Sequence, residues 1–216
     1  MMNTVKLIDI DRISYAEGLK LQHRLHDECA ENDEKQSLVL LEHNTVLTCG
    51  VKTGEGNVLV PRSVLDKEGV EIFETDRGGD VTYHGPGQLV GYPIVAINRL
   101  GLDAHSYLRT LEQSIIDVLA EFGLRGERNG LAGVWVGEKK LCSIGVTIRK
   151  RVTYHGFGLN INPNMKHFYL INPCGLRSEQ LSSLYEMTGE NPPMAEIKKL
   201  YEKSFEKNFG VKLTTD

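Results

Sequence analysis

No stretch of this 216-residue chain is apolar for long enough to cross a membrane, and Met1–Ile10 lacks the long apolar segment of a signal peptide. Cysteine is scarce. Cys29, Cys49, Cys142 and Cys174 are scattered, with no C-x-x-C pair and no disulfide-dense spacing. The expectation is a cytoplasmic protein with free thiols and no membrane partner. Positive charge is not in excess: the net charge of −4 gives no whole-protein reason to bind nucleic acid, and only local basic patches remain open. No histidine or cysteine pair has the spacing of metal ligands, so neither a metal nor another cofactor is expected. Gly50-Val51-Lys52-Thr53-Gly54 resembles part of a phosphate-binding loop, but the full G-x-x-x-x-G-K-[ST] spacing is absent. Repeats, low-complexity tracts and convincing linkers are missing as well. At this length one large domain with a full core is expected, and it is read as spanning residues 1–216.

Glycine, by contrast, is concentrated. Arg77-Gly78-Gly79-Asp80-Val81-Thr82-Tyr83-His84-Gly85-Pro86-Gly87-Gln88-Leu89-Val90-Gly91-Tyr92-Pro93 holds five glycines and two prolines, then runs into an apolar segment rich in β-formers. A loop that only reverses the chain needs one or two glycines. This many predicts a backbone passing close to something, another chain segment or a ligand. Arg77, Thr82, Tyr83, His84 and Gln88 add donors and acceptors, so the segment reads as a pocket wall.

Periodicity supplies the frame around it. Ile13–Ala30 reads as a helix, with Leu21, Leu25 and Cys29 at i, i+4 spacing. Ser37–Leu41 and Thr45–Cys49 read as a strand, a turn and a second strand, and Val70–Glu74 as a short strand. Asp103 caps a helix whose stripe is Leu108, Leu111, Ile115, Val118 and Phe122. Ala132–Val136, Leu141–Ile148 and Val152–Asn160 read as successive strands. Met194, Ile197, Tyr201, Phe205 and Phe209 mark one face of a last helix, between Pro193 and Gly210. The predicted fold is α/β or α+β: a mixed sheet packed by helices.

Two side chains stand out for chemistry. Cys174 sits on the bend Pro173-Cys174-Gly175, where a thiol can stand clear of regular structure as a nucleophile, although most free cysteines are small buried hydrophobes. Lys140 enters a buried strand after a hairpin turn, so it is either partly desolvated or a solvated turn lysine. Cys142 and Cys29 fall on core stripes, and Cys49 is ambiguous. Thr-Tyr-His-Gly occurs twice, at Thr82–Gly85 and Thr153–Gly156, and either histidine can touch a substrate or brace a loop.

The glycine-rich segment resembles the signature of the octanoyltransferases of lipoate biosynthesis, the lipoyl(octanoyl) transferases, which are relatives of the biotin and lipoate protein ligases. The resemblance continues through Lys140–Gly145, His155–Asn160 and Asn172–Gly175. It implies a biotin/lipoate protein ligase-like domain. It implies that Cys174 carries an acyl thioester and that Lys140 is its catalytic partner. The implied substrate-binding residues are Arg77, Gly78, Gly79, Asp80, Val81, Thr82, Tyr83 and His84; Ser143, Ile144 and Gly145; and Gly156, Phe157 and Gly158. Cys142 stands where the family's residue is usually small and is read as a bystander.

The implied reaction is chemically coherent. Octanoyl-acyl carrier protein delivers the acyl group as a thioester, and Cys174 attacks its carbonyl. The target lysine of a lipoyl domain then attacks the acyl-enzyme, and a stable amide forms without ATP. Acceptors implied are the lipoyl domains of 2-oxoacid dehydrogenase complexes and the H protein of glycine cleavage. A thiol of ordinary pKa, about 8.5, is only a few per cent thiolate at neutral pH. Lys140 can stabilise the thiolate as a cation or accept its proton as a neutral amine. An octanoyl chain brings about six methylenes at ~0.8 kcal/mol each, roughly 5 kcal/mol in a greasy slot. Glycines 78, 79, 145, 156 and 158 are expected to let that chain lie against backbone, and the basic run Arg149-Lys150-Arg151 is expected to recruit acidic carrier proteins. The alternatives are an ATP-dependent lipoate protein ligase, which needs no cysteine, a thiol hydrolase, and a non-catalytic lipoyl-domain binder.

Overall fold

The computed structural model describes residues 3–172 and 178–215; Cys174 lies outside them. Among the described residues the strands form two sheets. The larger has the order β10-β1-β2-β6-β9-β8-β7 and the smaller β4-β3-β5. In chain order these are β1 (Asn3–Ile13), β2 (Ser37–His43), β3 (Val46–Cys49), β4 (Glu71–Glu74), β5 (Thr82–His84), β6 (Gln88–Ile94), β7 (Gly133–Val136), β8 (Lys139–Arg149), β9 (Val152–Asn160) and β10 (Val211–Thr214). Both sheets are mixed. β1 runs parallel to β2 and β10, whereas β6, β9, β8 and β7 pair antiparallel.

Helices cover both faces of the large sheet. Helix α1 (Tyr15–Glu31) starts at a capping box, in which Ser14 Oγ accepts from the Glu17 N–H and Glu17 returns a bond to the Ser14 N–H. Its Leu25 and Cys29 pack with Val39, Leu41, Val90 and Tyr92 on one face of the sheet. Helices α3 (Ala104–Ala120) and α5 (Met194–Phe209) cover the other face. Asp103 and Ser106 box the start of α3, and Gly210, at φ +63°, closes α5 in the left-handed conformation. Leu111, Ile115, Tyr201 and Phe205 meet Leu38, Leu40, Leu89 and Leu159 there. Alternate residues of β2 thus enter opposite cores, which is why the strand reads as one unbroken apolar run. The small sheet has a core of its own, made by Leu47, Val81 and Tyr83 against Phe168 and Ile171. The remaining helices, α2 (Arg62–Lys67) and α4 (Leu184–Thr188), are short, as are the 3-10 turns Met165–Leu170 and Ser178–Gln180.

The predicted helices and most strands stand where periodicity put them. The strand, turn and strand read at Ser37–Cys49 are present, but the two strands do not pair. The two strands separated by Asn44 and Thr45 belong to different sheets. The same crossing is made by β5 and β6, and between them lies Gly85-Pro86-Gly87. Gly85-Pro86-Gly87 of the glycine-rich segment therefore carries the chain back to the large sheet, which it left between β2 and β3.

Candidate active site

A cavity of about 360 Å³ opens where the two sheets meet. One wall is the Arg77–Asp80 loop with β5, and the other is β8 and β9. Register explains why residues far apart in sequence share it. Ser143 pairs with Gly158, Ile144 with Phe157 and Gly145 with Gly156. All of the residues implied as substrate-binding line the cavity except Tyr83, and so does Lys140. The Tyr83 ring points away, fully buried against Phe168 and His167. Leu108, Leu131, Val81, Ile144, Phe157 and Leu181 make much of the surface apolar, which suits an alkyl chain.

The glycines answer mainly to the protein's own backbone. A Cβ on Gly145 would lie 2.5 Å from the Gly78 carbonyl oxygen, and one on Gly78 would lie 2.9 Å from that of Val146. The Gly78 N–H donates to the same Val146 oxygen at 3.2 Å. On Gly156 a Cβ would meet the Gly91 oxygen at 2.0 Å, and on Gly158 the Gln88 side chain at 2.7 Å. Gly79 is the exception, since a Cβ there meets only Arg77 Nη1 at 3.5 Å; its φ of +92° is what favours glycine. At four of the five positions the protein's own atoms already exclude a side chain, so these glycines let a loop and three strands touch, and all five also line the cavity. Gly145→Ala is expected to lower unfolding free energy by about 1–3 kcal/mol, the range for overpacking against unyielding atoms. A urea midpoint unchanged from wild type would refute this account.

Several polar residues of the wall are committed to bracing it. Buried Arg77 donates to Thr48 O at 2.6 Å, to Thr48 Oγ1 at 3.0 and 3.1 Å, and to Gly78 O at 3.1 Å. Asp80 accepts from Asn57 Nδ2 at 2.8 and 2.7 Å and from the Val81 N–H at 2.6 Å. A chain of bonds crosses the floor. His84 Nδ1 meets Gln88 Oε1 at 2.6 Å, Gln88 Nε2 donates to Asn160 Oδ1 at 2.8 Å, and Asn160 Nδ2 donates to Ser182 O at 2.9 Å. The Ser182 N–H in turn donates to Lys140 O at 3.0 Å. Three of the four sequence motifs are thereby tied to one another.

The histidines at and behind the floor are uncharged. Burial lowers the His84 pKa to about 3 and those of His43 and His155 to about 4, so all three are neutral at pH 7. His43 Nε2 accepts from Tyr92 Oη at 2.7 Å, and Tyr15 stacks on His84 with centroids 6.3 Å apart. His155, at φ +58°, donates from Nε2 to Asp76 Oδ1 at 3.0 Å. Asp76 also accepts from Tyr154 Oη and pairs with Arg149 Nη2 at 2.9 Å. Partial burial raises the Asp76 carboxyl, but the bonds from His155 and Tyr154 outweigh it and hold the group below its usual value. Arg149 is therefore bound to the cavity wall. Of the basic run, Lys150 and Arg151 form the two-residue turn between β8 and β9, at φ +48° and +63°. Sequence reading did not single out Tyr15, His43, Asp76 or Tyr92 as site residues. Tyr15 and His43 come from segments without a motif, whereas Asp76 precedes the glycine-rich segment and Tyr92 lies in it without a local sign of its role; the tertiary fold brings the four together.

Lys140 is buried, 6% exposed, with Nζ 5.7 Å over the Trp135 ring. Leu181 bridges to it from the segment that follows residues 173–177, and the segment before them is held through the Asn172 N–H to Asn57 O at 2.8 Å. The described cysteines are poor nucleophiles. Burial pushes Cys29 up to about 11 and Cys142 higher still, and it also raises Cys49.

Among known proteins, the model of the lipoyl protein ligase A/B catalytic domain matches residues 14–206. An octanoyltransferase of Clostridium kluyveri is 42% identical over 205 residues, covering 94% of this chain and 86% of that protein. An octanoyltransferase of Myxococcus xanthus is 41% identical over 211 residues, covering 94% of this chain and 59% of that longer protein. A lipoate-protein ligase A structure bound with ATP superposes with a TM-score of 0.82 at 14% identity, over 99% of this chain and 88% of the ligase. That last likeness is one of fold alone.

Proposed function

The chain belongs to the lipoyl protein ligase A/B catalytic domain family, and from that membership we propose that it is the octanoyltransferase of protein lipoylation. It is an acyltransferase acting on lipoyl-domain proteins. The observation that carries this reading is identity above 40% to octanoyltransferases across 94% of the chain. The apolar cavity ending at a buried lysine supports it physically.

The finer reading is as follows. Residues 1–216 act as one catalytic domain in the cytoplasm. The donor is octanoyl-acyl carrier protein. The Cys174 thiolate attacks the thioester carbonyl, a new C–S bond forms, and the carrier's thiol leaves with a proton. An acceptor lysine amine then attacks, the amide C–N bond forms, and the Cys174 sulfur leaves to be reprotonated. Lys140 moves the proton in both steps. Acceptors are the lipoyl domains of 2-oxoacid dehydrogenase complexes and the H protein of glycine cleavage. The cavity residues of the Arg77–His84, Ser143–Gly145 and Gly156–Gly158 segments hold the acyl chain, with Tyr83 supporting them from behind.

The test is reconstitution without nucleotide. Octanoyl-acyl carrier protein and an apo lipoyl domain should yield a lipoyl domain heavier by one octanoyl group on its lysine. Dependence on magnesium-ATP and free acid would transfer the assignment to the ligases. Release of free octanoate with an unmodified acceptor would make the protein a hydrolase.

A further inference from the structure

Glu112 of α3 is 1% exposed, yet the catalytic scheme makes no use of it. A carboxylate buried so completely needs compensating partners. Its Oε2 accepts from Arg109 Nη1 at 2.8 Å and from Arg128 Nε at 3.0 Å, and the Gly133 N–H faces its Oε1 at 3.5 Å. Arg128 Nη2 donates further to Arg109 O at 3.0 Å and Gln113 Oε1 at 2.9 Å. Both ends of the segment 128–133 are thus tied to α3. Between those ends lie Gly130, Leu131 and Ala132, which line the cavity.

Gly133 is where this segment meets Lys140. At φ +135° it exposes its backbone to the lysine side chain. A Cβ there would lie 2.6 Å from Lys140 Cε, 3.3 Å from Nζ and 2.3 Å from Cys142 O. The lysine therefore rests on the Gly133 backbone, beside the Trp135 ring.

We propose that Glu112 and Arg128 form a clamp, buried at the carboxylate and partly exposed at the guanidinium, that positions Lys140 by holding segment 128–133 as the seat on which its side chain lies. This rests on reading Lys140 as the proton-transfer group. The two arginines have different parts. Arg109 lies on the same helix as Glu112, three residues away, and compensates charge within one element. Arg128 joins two elements. If Glu112 served only to balance charge, losing either arginine would have the same result. If the clamp positions the seat, only Arg128 affects Lys140.

The experiment compares Arg128→Ala, Arg109→Ala and Arg128→Lys in the full chain, with Lys140→Ala alongside. It measures octanoyl-transfer kinetics and the rate at which an amine-reactive acylating reagent labels Lys140, read by peptide mass. Arg128→Ala should lower kcat about tenfold to a hundredfold, as displacement of a reacting group by about an ångström does. Its KM for the carrier thioester should stay within about twofold, and Lys140 labelling should rise several-fold. Arg109→Ala should leave kcat and labelling near wild type, and Arg128→Lys should recover part of the loss. Equal effects of the two alanine variants would overturn the clamp, as would unchanged labelling of Lys140 in Arg128→Ala. Should Lys140→Ala remain active, the catalytic reading fails, while the labelling rates still decide whether the clamp seats the lysine.

Discussion

Replacing Cys174 with alanine is expected to abolish the octanoyl-enzyme and to slow transfer to a lipoyl domain by at least about 10³-fold. Loss of a covalent nucleophile leaves only binding and polar stabilisation of the transition state, so residual activity is small. The wild-type protein, incubated with octanoyl-acyl carrier protein alone, should gain the mass of one octanoyl group, and hydroxylamine should remove it. Cys174→Ala should gain none. Electrostatics of the other thiols sharpen the expectation. Cys29 and Cys142 are buried in the two large cores, and burial holds both in the thiol form. Cys49 is half-buried and lies outside the cavity lining, and its thiol is raised too. An unchanged mass gain in Cys174→Ala would overturn the assignment and turn attention to Cys49, the most accessible of the three.

The three long helices were legible because their signals are local, whereas the short α2 and α4 left no periodic stripe. Ser14 with Glu17 and Asp103 with Ser106 sit three residues apart, and the stripe Ile197, Tyr201, Phe205 and Phe209 repeats at helical spacing. The partition into two sheets was not legible. β2 and β3 are both apolar and close in sequence, and nothing in those residues records that they diverge. β1 and β10 leave little trace in the sequence because an edge pair of half-buried strands has a weak pattern, and their parallel partnership joins the two ends of the chain. The wall segments of the cavity were recognised through ordered motifs. The packing demand on their glycines was not, because the atoms that exclude a Cβ come from elsewhere in the sequence: Gly78 for Gly145, Gly91 for Gly156. The basic run shows the same limit. Sequence presents Arg149, Lys150 and Arg151 as equivalent, whereas Arg149 is held by Asp76 and the Tyr154 ring. Reversing Arg149 would therefore disturb the wall as well as the surface, and Lys150 is the cleaner probe of carrier docking.

Lys140→Arg is expected to lose several hundredfold in turnover, close to the loss in Lys140→Ala and within the range of positioned acid–base catalysis, ~10²–10⁴. Arginine keeps the positive charge but releases no proton in a protein. If a fixed cation beside the sulfur were enough, the arginine variant would retain much of its activity. The seat complicates that comparison. Lys140 Cε and Nζ occupy the space a side chain on Gly133 would need, and a planar guanidinium is larger than an ammonium. A poor Lys140→Arg enzyme can thus reflect crowding as well as chemistry. Chemical rescue separates the two. In Lys140→Ala the vacated space can admit a small amine, and methylamine should restore part of the activity, rising with pH as more of it becomes the free base. Guanidine at the same concentration carries charge without a removable proton and should restore little. Full activity in Lys140→Arg would eliminate the proton-shuttle role. Rescue by guanidine as effective as that by methylamine would do the same, and would leave Lys140 as a cation that holds the thiolate.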